Sequence, residues 1–120
     1  PVAIFSPRYS RGGVSSLCGQ LSYLSSAALI KDAFMTYTND SAPLHFASAT
    51  NAPLTAVFCS TIPAFGFGPL RPEAKVVETT EPMPCRPCGL HGHRECPKGH
   101  FNCANTITNQ QLLWWTLNKT

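Results

Sequence analysis

Charge is scarce in this chain. Lysine, arginine, aspartate and glutamate together make up 12% of its 120 residues, about half the usual share. The net charge is only +3, and the basic residues are spread along the chain. That argues against nucleic acid as a partner, which is recognised through a concentrated basic face. Long apolar runs are also missing. No stretch of about 18 apolar residues occurs, so no segment reads as a transmembrane helix. The first residues, Pro1-Val2-Ala3-Ile4-Phe5, lack the basic start, long apolar run and small-residue cleavage site of a signal peptide. No internal repeat and no low-complexity tract is present.

Hydrophobic residues make up 43% of the chain, enough for a packed core. At this length one domain is expected, and it buries only about two-thirds of its unfolded surface. Six cysteines are present: Cys18, Cys59, Cys85, Cys88, Cys96 and Cys103. Four of them crowd into residues 85–103, two as a C-x-x-C. With no export signal in view, a cytosolic metal or thiol cluster is a better reading than a secreted disulfide scaffold.

Along the chain, Pro1 to Phe5 reads as a short strand and Ser6 to Ser16 as a loop rich in Ser, Gly and Arg. Leu21, Leu24, Ala28 and Leu29 recur at helical spacing, with Ser22 as N-cap, and predict a helix ending near Asp32 or Ala33. Phe34 to Thr38 reads as a buried strand. Asp40 or Ser41 is a good N-cap and Pro43 suits a first helical turn, so a second helix runs to about Thr50. Asn51-Ala52-Pro53 stops it. Leu54 to Cys59 is a second strand, and Lys75 to Glu78 a third. The order helix, strand, helix, strand predicts a parallel sheet with crossover helices. Residues 60–74 read as a ligand-facing loop, in which Phe65 and Phe67 either cover a ligand or fill a seam. Residues 82–105 hold little regular structure. Thr108 caps a last helix, Asn109 to Asn118, with Leu112, Trp115 and Leu113 facing inward.

The turn from Asn39 to His45 carries the sharpest chemical argument. Ligands of parallel sheets bind beyond the carboxyl ends of the strands. A helix starting at Ser41 or Ala42 turns its first N–H groups, and the positive end of its dipole, toward that crevice. Small residues at Ser41 and Ala42 let a diphosphate come close. Asp40 can accept from sugar or ribose hydroxyls, and His45 can donate to a phosphate. The plainer alternative is that Asp40 and Ser41 only cap the helix and His45 packs in the core.

The segment Asn39-Asp40-Ser41-Ala42-Pro43-Leu44-His45-Phe46-Ala47-Ser48-Ala49 resembles the D-[ST]-G-P-x-H-x-A stretch of the lipopolysaccharide heptosyltransferase family. Cys18 to Ser22 with Ser26 to Ile30 resembles that family's upstream G-x-x-S-L helix. Ala56 to Thr61 and Phe65 to Pro69 resemble its downstream strand and loop. The resemblance runs in order from residue 18 to about 105. It implies an α/β fold: part of the Rossmann-like C-terminal domain of a glycosyltransferase B-type enzyme. The expected division is an unmatched segment at 1–17, a nucleotide-sugar-binding domain at 18–81, a Cys/His-rich loop at 82–105 and a C-terminal helix at 106–120. It also implies that Asp40, Ser41, Ala42 and His45 contact the donor's diphosphate and sugar. Ala42 replaces the commoner glycine, so the donor pose shifts by the room one methyl takes. The implied reaction moves heptose from ADP-heptose to the lipopolysaccharide inner core, in the cytoplasm or at the inner face of the inner membrane. In that family the acceptor site and proposed base lie in an N-terminal domain, so little or no turnover is expected from these residues alone.

Cys85, Cys88, Cys96 and Cys103 supply four thiolates, enough for a closed tetrahedral zinc site. His91, His93 and His100 lie among them as substitutes. Structural zinc, a metal-free thiol or disulfide cluster, and an iron–sulfur cluster are the three readings, in that order. Related heptosyltransferases resemble this chain here too, with a C-x-x-C, a C-P-x-G-H and a terminal cysteine. Cys18 and Cys59 read as small core residues. The rival from another class is a small zinc-binding α/β module that presents a scaffold to a protein partner.

Overall fold

The computed structural model describes residues 2–4 and 13–118. Two short strands, β1 (Val2–Ile4) and β2 (Val14–Ser16), pair in parallel with Val2 opposite Val14. Sequence reasoning placed 6–16 in a loop. Val14–Ser16 is a strand instead, and residues 6–12 of that loop lie outside the described residues. Val14 is the only β-branched apolar residue of the segment, a weak signal that cross-strand pairing overrode.

The main sheet has three parallel strands in the order β3 (Thr36–Asn39), β4 (Leu54–Phe58), β5 (Lys75–Glu78). Thr38 stands opposite Ala56, and Ala56 opposite Val76. The central strand is the apolar one: Leu54, Thr55, Ala56 and Phe58 are fully buried. A strand covered on both faces reads as a near-continuous apolar run rather than an alternation, and Leu54 to Phe58 does, with Thr55 its one polar residue.

Side chains two apart share a face of the sheet. Leu54, Ala56, Phe58 and Val76 face the helices α1 (Tyr23–Lys31) and α2 (Ala42–Ala49) and meet Ile30, Leu44 and Ala47 in the core. Tyr37 and Lys75 belong to the other face. There the Tyr37 hydroxyl hydrogen-bonds Thr116, and Lys75 Nζ lies 5.4 Å from the Trp114 ring centroid. Both partners sit on α4 (Asn109–Asn118). Helices therefore cover both faces, as a parallel sheet requires.

Local capping explains where the helices start. Ser22 Oγ accepts the Ser25 N–H at 3.1 Å, opening α1 where the sequence places it. At α4, Thr108 Oγ1 accepts the Gln111 N–H while Gln111 Oε1 accepts the Thr108 N–H at 2.7 Å. That reciprocal pair is a capping box. A short helix, α3 (Asn102–Asn105), lies within the cysteine-rich stretch, where sequence reasoning expected little regular structure. Its four residues are too few to show a helical period.

The buried side of α1 is the one that carries Ile30. Leu24 is 84% exposed and Leu29 41% exposed, while Ile30 is buried. The helix rests on α2 through the Ile30 side, and the Tyr23 ring lies 5.9 Å from that of Phe46. Two overlapping apolar stripes fit the spacing of this helix, and the one that meets α2 is buried. Of the residues assigned inward on α4, Leu112 and Trp115 are half-buried and Leu113 is exposed.

Candidate functional site at the carboxyl ends of the strands

Three chain segments leave the carboxyl ends of β3, β4 and β5, and hydrogen bonds tie them together. Asp40 follows β3, and its Oδ2 accepts the Thr61 hydroxyl at 2.7 Å. Thr61 lies three residues beyond β4 and is buried. Its carbonyl accepts Arg86 Nη2 at 2.9 Å, and the same guanidinium donates to Glu78 Oε2 at 2.6 Å, at the end of β5. Arg86 Nε donates to the Cys59 carbonyl at 2.7 Å. One half-buried cation thus collects the carbonyls at the end of β4 and the carboxylate of β5.

Ser41 is the N-cap of α2 but makes no capping bond with its side chain. Its hydroxyl donates to Asn39 Oδ1 at 2.7 Å. Pro43 brings no N–H to the first turn, and the Leu44 N–H turns back to the Ser41 carbonyl at 3.0 Å. The Ala42 amide is the remaining donor of that turn, beside an exposed methyl. The plainer reading of Asp40 and Ser41 as side-chain caps is therefore not realised. His45 is exposed one turn into α2 and not in the core. Asp40, Ser41, Ala42 and His45 share the open end of the βα turn, with Asp40 held by Thr61. Sequence reasoning missed the part that Thr61 and Arg86 play at the strand ends. Neither belongs to a local pattern, since each acts across more than 20 residues of chain.

The loop of residues 60–74 folds back on α2. Leu70 N–H donates to Ser48 Oγ at 3.2 Å, and a single 3₁₀ turn, Pro63–Phe65, ends in Gly66 with φ 94°. That left-handed conformation suits glycine. Phe65 is half-buried and Phe67 exposed.

The cysteine-rich stretch docks on the same end of the sheet. Cys88 N–H donates to the Ser60 carbonyl at 2.8 Å. Gly92 comes so near that a Cβ there would sit 2.6 Å from Ser60 Oγ. Two cavities open along this stretch. The larger, about 650 Å³, is lined by Glu81, Lys98 and His100 among others. The smaller, about 290 Å³, is lined by Cys85, Cys88, Cys96 and Cys103 together with Arg86 and His100. Neither is lined by Asp40, Ser41, Ala42 or His45. All six cysteines are free. Cys18 is exposed, not a core residue, and Cys59 is half-buried. Burial pushes the Cys59 and Cys103 thiols up, helped by Cys103 beside Cys59 and by Cys96 beside Cys103. Backbone N–H groups, chiefly that of Phe101, hold Cys96 below the usual thiol value. Among the described residues, no three Cys, His, Asp or Glu side chains stand arranged to hold a metal ion.

Compared with known families, residues 8–94 match the model of glycosyltransferase family 9 (heptosyltransferase). The match takes in most of the chain, including both helices and all three strands of the main sheet. The chain belongs to glycosyltransferase family 9. No curated protein and no solved structure matches it. The three-stranded parallel sheet with helices on both faces is a partial Rossmann-like glycosyltransferase domain. The family match includes residues 8–17, ahead of the motifs that carry the resemblance. It ends at residue 94, before Cys96 and Cys103. The glycosyltransferase assignment brings a sugar donor and an acceptor in general terms.

Proposed function

We propose that this chain is the donor-binding part of a heptosyltransferase, holding a nucleotide-diphosphate sugar against the β3–α2 turn. The observation that carries the reading is the placement of Asp40, Ser41 and Ala42 at the carboxyl end of a parallel strand in a family 9 chain. That is where open α/β sheets bind ligands. The Ala42 amide and the dipole of α2 favour a phosphate there. His45 is exposed on the same turn and adds a donor. Asp40 is an acceptor for sugar or ribose hydroxyls, its carboxylate kept in place by Thr61.

Transfer breaks the bond between the sugar's anomeric carbon and the diphosphate and joins that carbon to an acceptor oxygen, whose proton goes to a base. In this proposal the described residues stabilise the departing diphosphate. A facing domain supplies the base and the acceptor, so the chain alone turns over little or not at all. ADP-heptose is the proposed donor and the lipopolysaccharide inner core the proposed acceptor. The proposed location that goes with them is the cytoplasm or the inner face of the inner membrane.

Calorimetry tests the binding step. ADP and an ADP-sugar should bind the folded chain, and Asp40→Ala should weaken the ADP-sugar at least tenfold. A folded chain that binds neither would sink the reading.

A further inference from the structure

The cysteine-rich stretch takes no part in the donor turn, yet Arg86 and the Cys88 N–H dock it on the end of the sheet. Four thiols from two separate segments meet at one cavity of about 290 Å³. Cys85 and Cys88 flank the Arg86 clamp, and the Cys88 N–H itself bonds the Ser60 carbonyl. Cys103 is carried inward on α3 and is 8% exposed. Cys96 faces the same space.

The surrounding donors are turned toward sulfur. Phe101 N–H donates to Cys96 Sγ at 3.4 Å. It can do so because Phe101 adopts φ 48°, a left-handed conformation that a bulky residue rarely takes. His100 Nε2 lies 3.9 Å from Cys85 Sγ, and His100 Nδ1 accepts the Asn102 N–H at 3.0 Å. A ring nitrogen that accepts an N–H carries no proton, so the proton of the neutral ring is on Nε2, facing Cys85. His100 as placed donates to sulfur; it does not offer a lone pair to a metal. N–H groups aimed at ligand atoms are the outer support that metal sites use. Arg86 and Lys98 also line the cavity. With Glu95 also on the lining, these two cations offset part of the net double negative charge of one Zn²⁺ bound by four thiolates.

We propose that Cys85, Cys88, Cys96 and Cys103 bind one zinc ion in a closed four-thiolate site. The ion's role is structural: it pins the loop of residues 85–103 against the ends of β4 and β5. Four sulfurs must reach about 2.3 Å from the ion. Binding requires the thiols to rotate inward across the cavity, since no three of them stand at that spacing in the structure. Zn²⁺ displaces one proton from each thiol, and no oxidation is involved. Cys18 and Cys59 do not line the cavity and stay outside the set.

The test is elemental analysis of the whole chain purified in reducing buffer without chelator, with a thiol count before and after chelation. The expected result is close to one zinc per chain, with four thiols masked until zinc is removed. Cys85→Ser and Cys96→Ser should lose the ion, whereas Cys18→Ser and His100→Gln should keep it. Cysteine variants can fail to fold, so the unsubstituted chain is also stripped and reloaded with Co²⁺. A sulfur-to-cobalt charge-transfer band with tetrahedral ligand-field absorption is expected. Less than about a tenth of an equivalent of zinc, with all thiols reactive and no cobalt band, would overturn the proposal. So would iron in place of zinc, or a disulfide among the four in the protein as isolated. Loss of zinc in His100→Gln but not in Cys88→Ser would overturn the ligand set. None of these outcomes depends on nucleotide binding.

Discussion

The Thr61 hydroxyl donates to Asp40 Oδ2 at 2.7 Å, joining the loop after β4 to the turn after β3. Thr61 is buried and Asp40 is exposed. The bond therefore fixes an outward-facing carboxylate from the inside. Replacing Thr61 with valine keeps the shape and removes the hydroxyl. Stability should fall by about 1 kcal/mol, since water can replace the lost partner of Asp40. ADP-sugar affinity, measured by calorimetry, should fall several-fold, while Thr61→Ser keeps both.

Arg86 is the tie between the sheet and the cysteine-rich loop. Its side chain is 12% exposed and bonds Glu78, Cys59 and Thr61. Arg86→Met leaves a half-buried carboxylate and inward carbonyls without their donor. The loss should be about 3 kcal/mol by urea unfolding, toward the lower end for a buried pair because Glu78 is 41% exposed. Hydrogen exchange at the Cys88 amide, bonded to Ser60, should speed up in the same variant.

Helix α1 gives a direct test of which stripe is buried. Ile30→Ala removes a side chain that is 3% exposed and should cost about 2–4 kcal/mol. Leu24→Ser removes one that is 84% exposed and should change stability by about 0.5 kcal/mol or less. Chemical denaturation of the two variants gives the comparison.

The thiols should respond to alkali in opposite senses. In metal-free, reduced protein the Cys59 and Cys103 thiols titrate above their ordinary value of 9.0. The unfolded chain gives up those protons first. Their contribution is intact below about pH 9 and is lost as pH rises through the folded values. Cys96 is shifted the other way: its contribution is present above the ordinary value and is lost as pH falls through the folded one. At mildly alkaline pH, iodoacetamide should therefore label Cys96 ahead of Cys59 and Cys103, as read by peptide mass spectrometry.

Much of the main sheet was legible in the sequence. Leu54 to Phe58 is a short apolar run bounded by Pro53 and Ser60, and Pro43 with Ser41 marks a helix start; each signal is local and acts within one turn of chain. The same locality explains the capping by Ser22 and Thr108. The D-S-A-P-x-H stretch also placed the candidate turn, because a strand followed by a helix start fixes which end of a parallel sheet the turn occupies.

What surrounds that turn was settled only in three dimensions. Asp40 meets Thr61 and Arg86 meets the Thr61 carbonyl because β3, β4 and β5 align their carboxyl ends, and nothing in the local pattern pairs residues 21 or 25 apart. The spacing of α1 fitted Leu24 as well as Ile30, and contact with α2 chose Ile30. The sequence by itself determined the order of helices and strands in the main sheet and the residue types at the turn, since these depend on neighbours along the chain. The tertiary structure decided which carboxylate is held, which apolar stripe is covered and which thiols share a cavity. Those outcomes depend on distances between segments that only the packed sheet brings together.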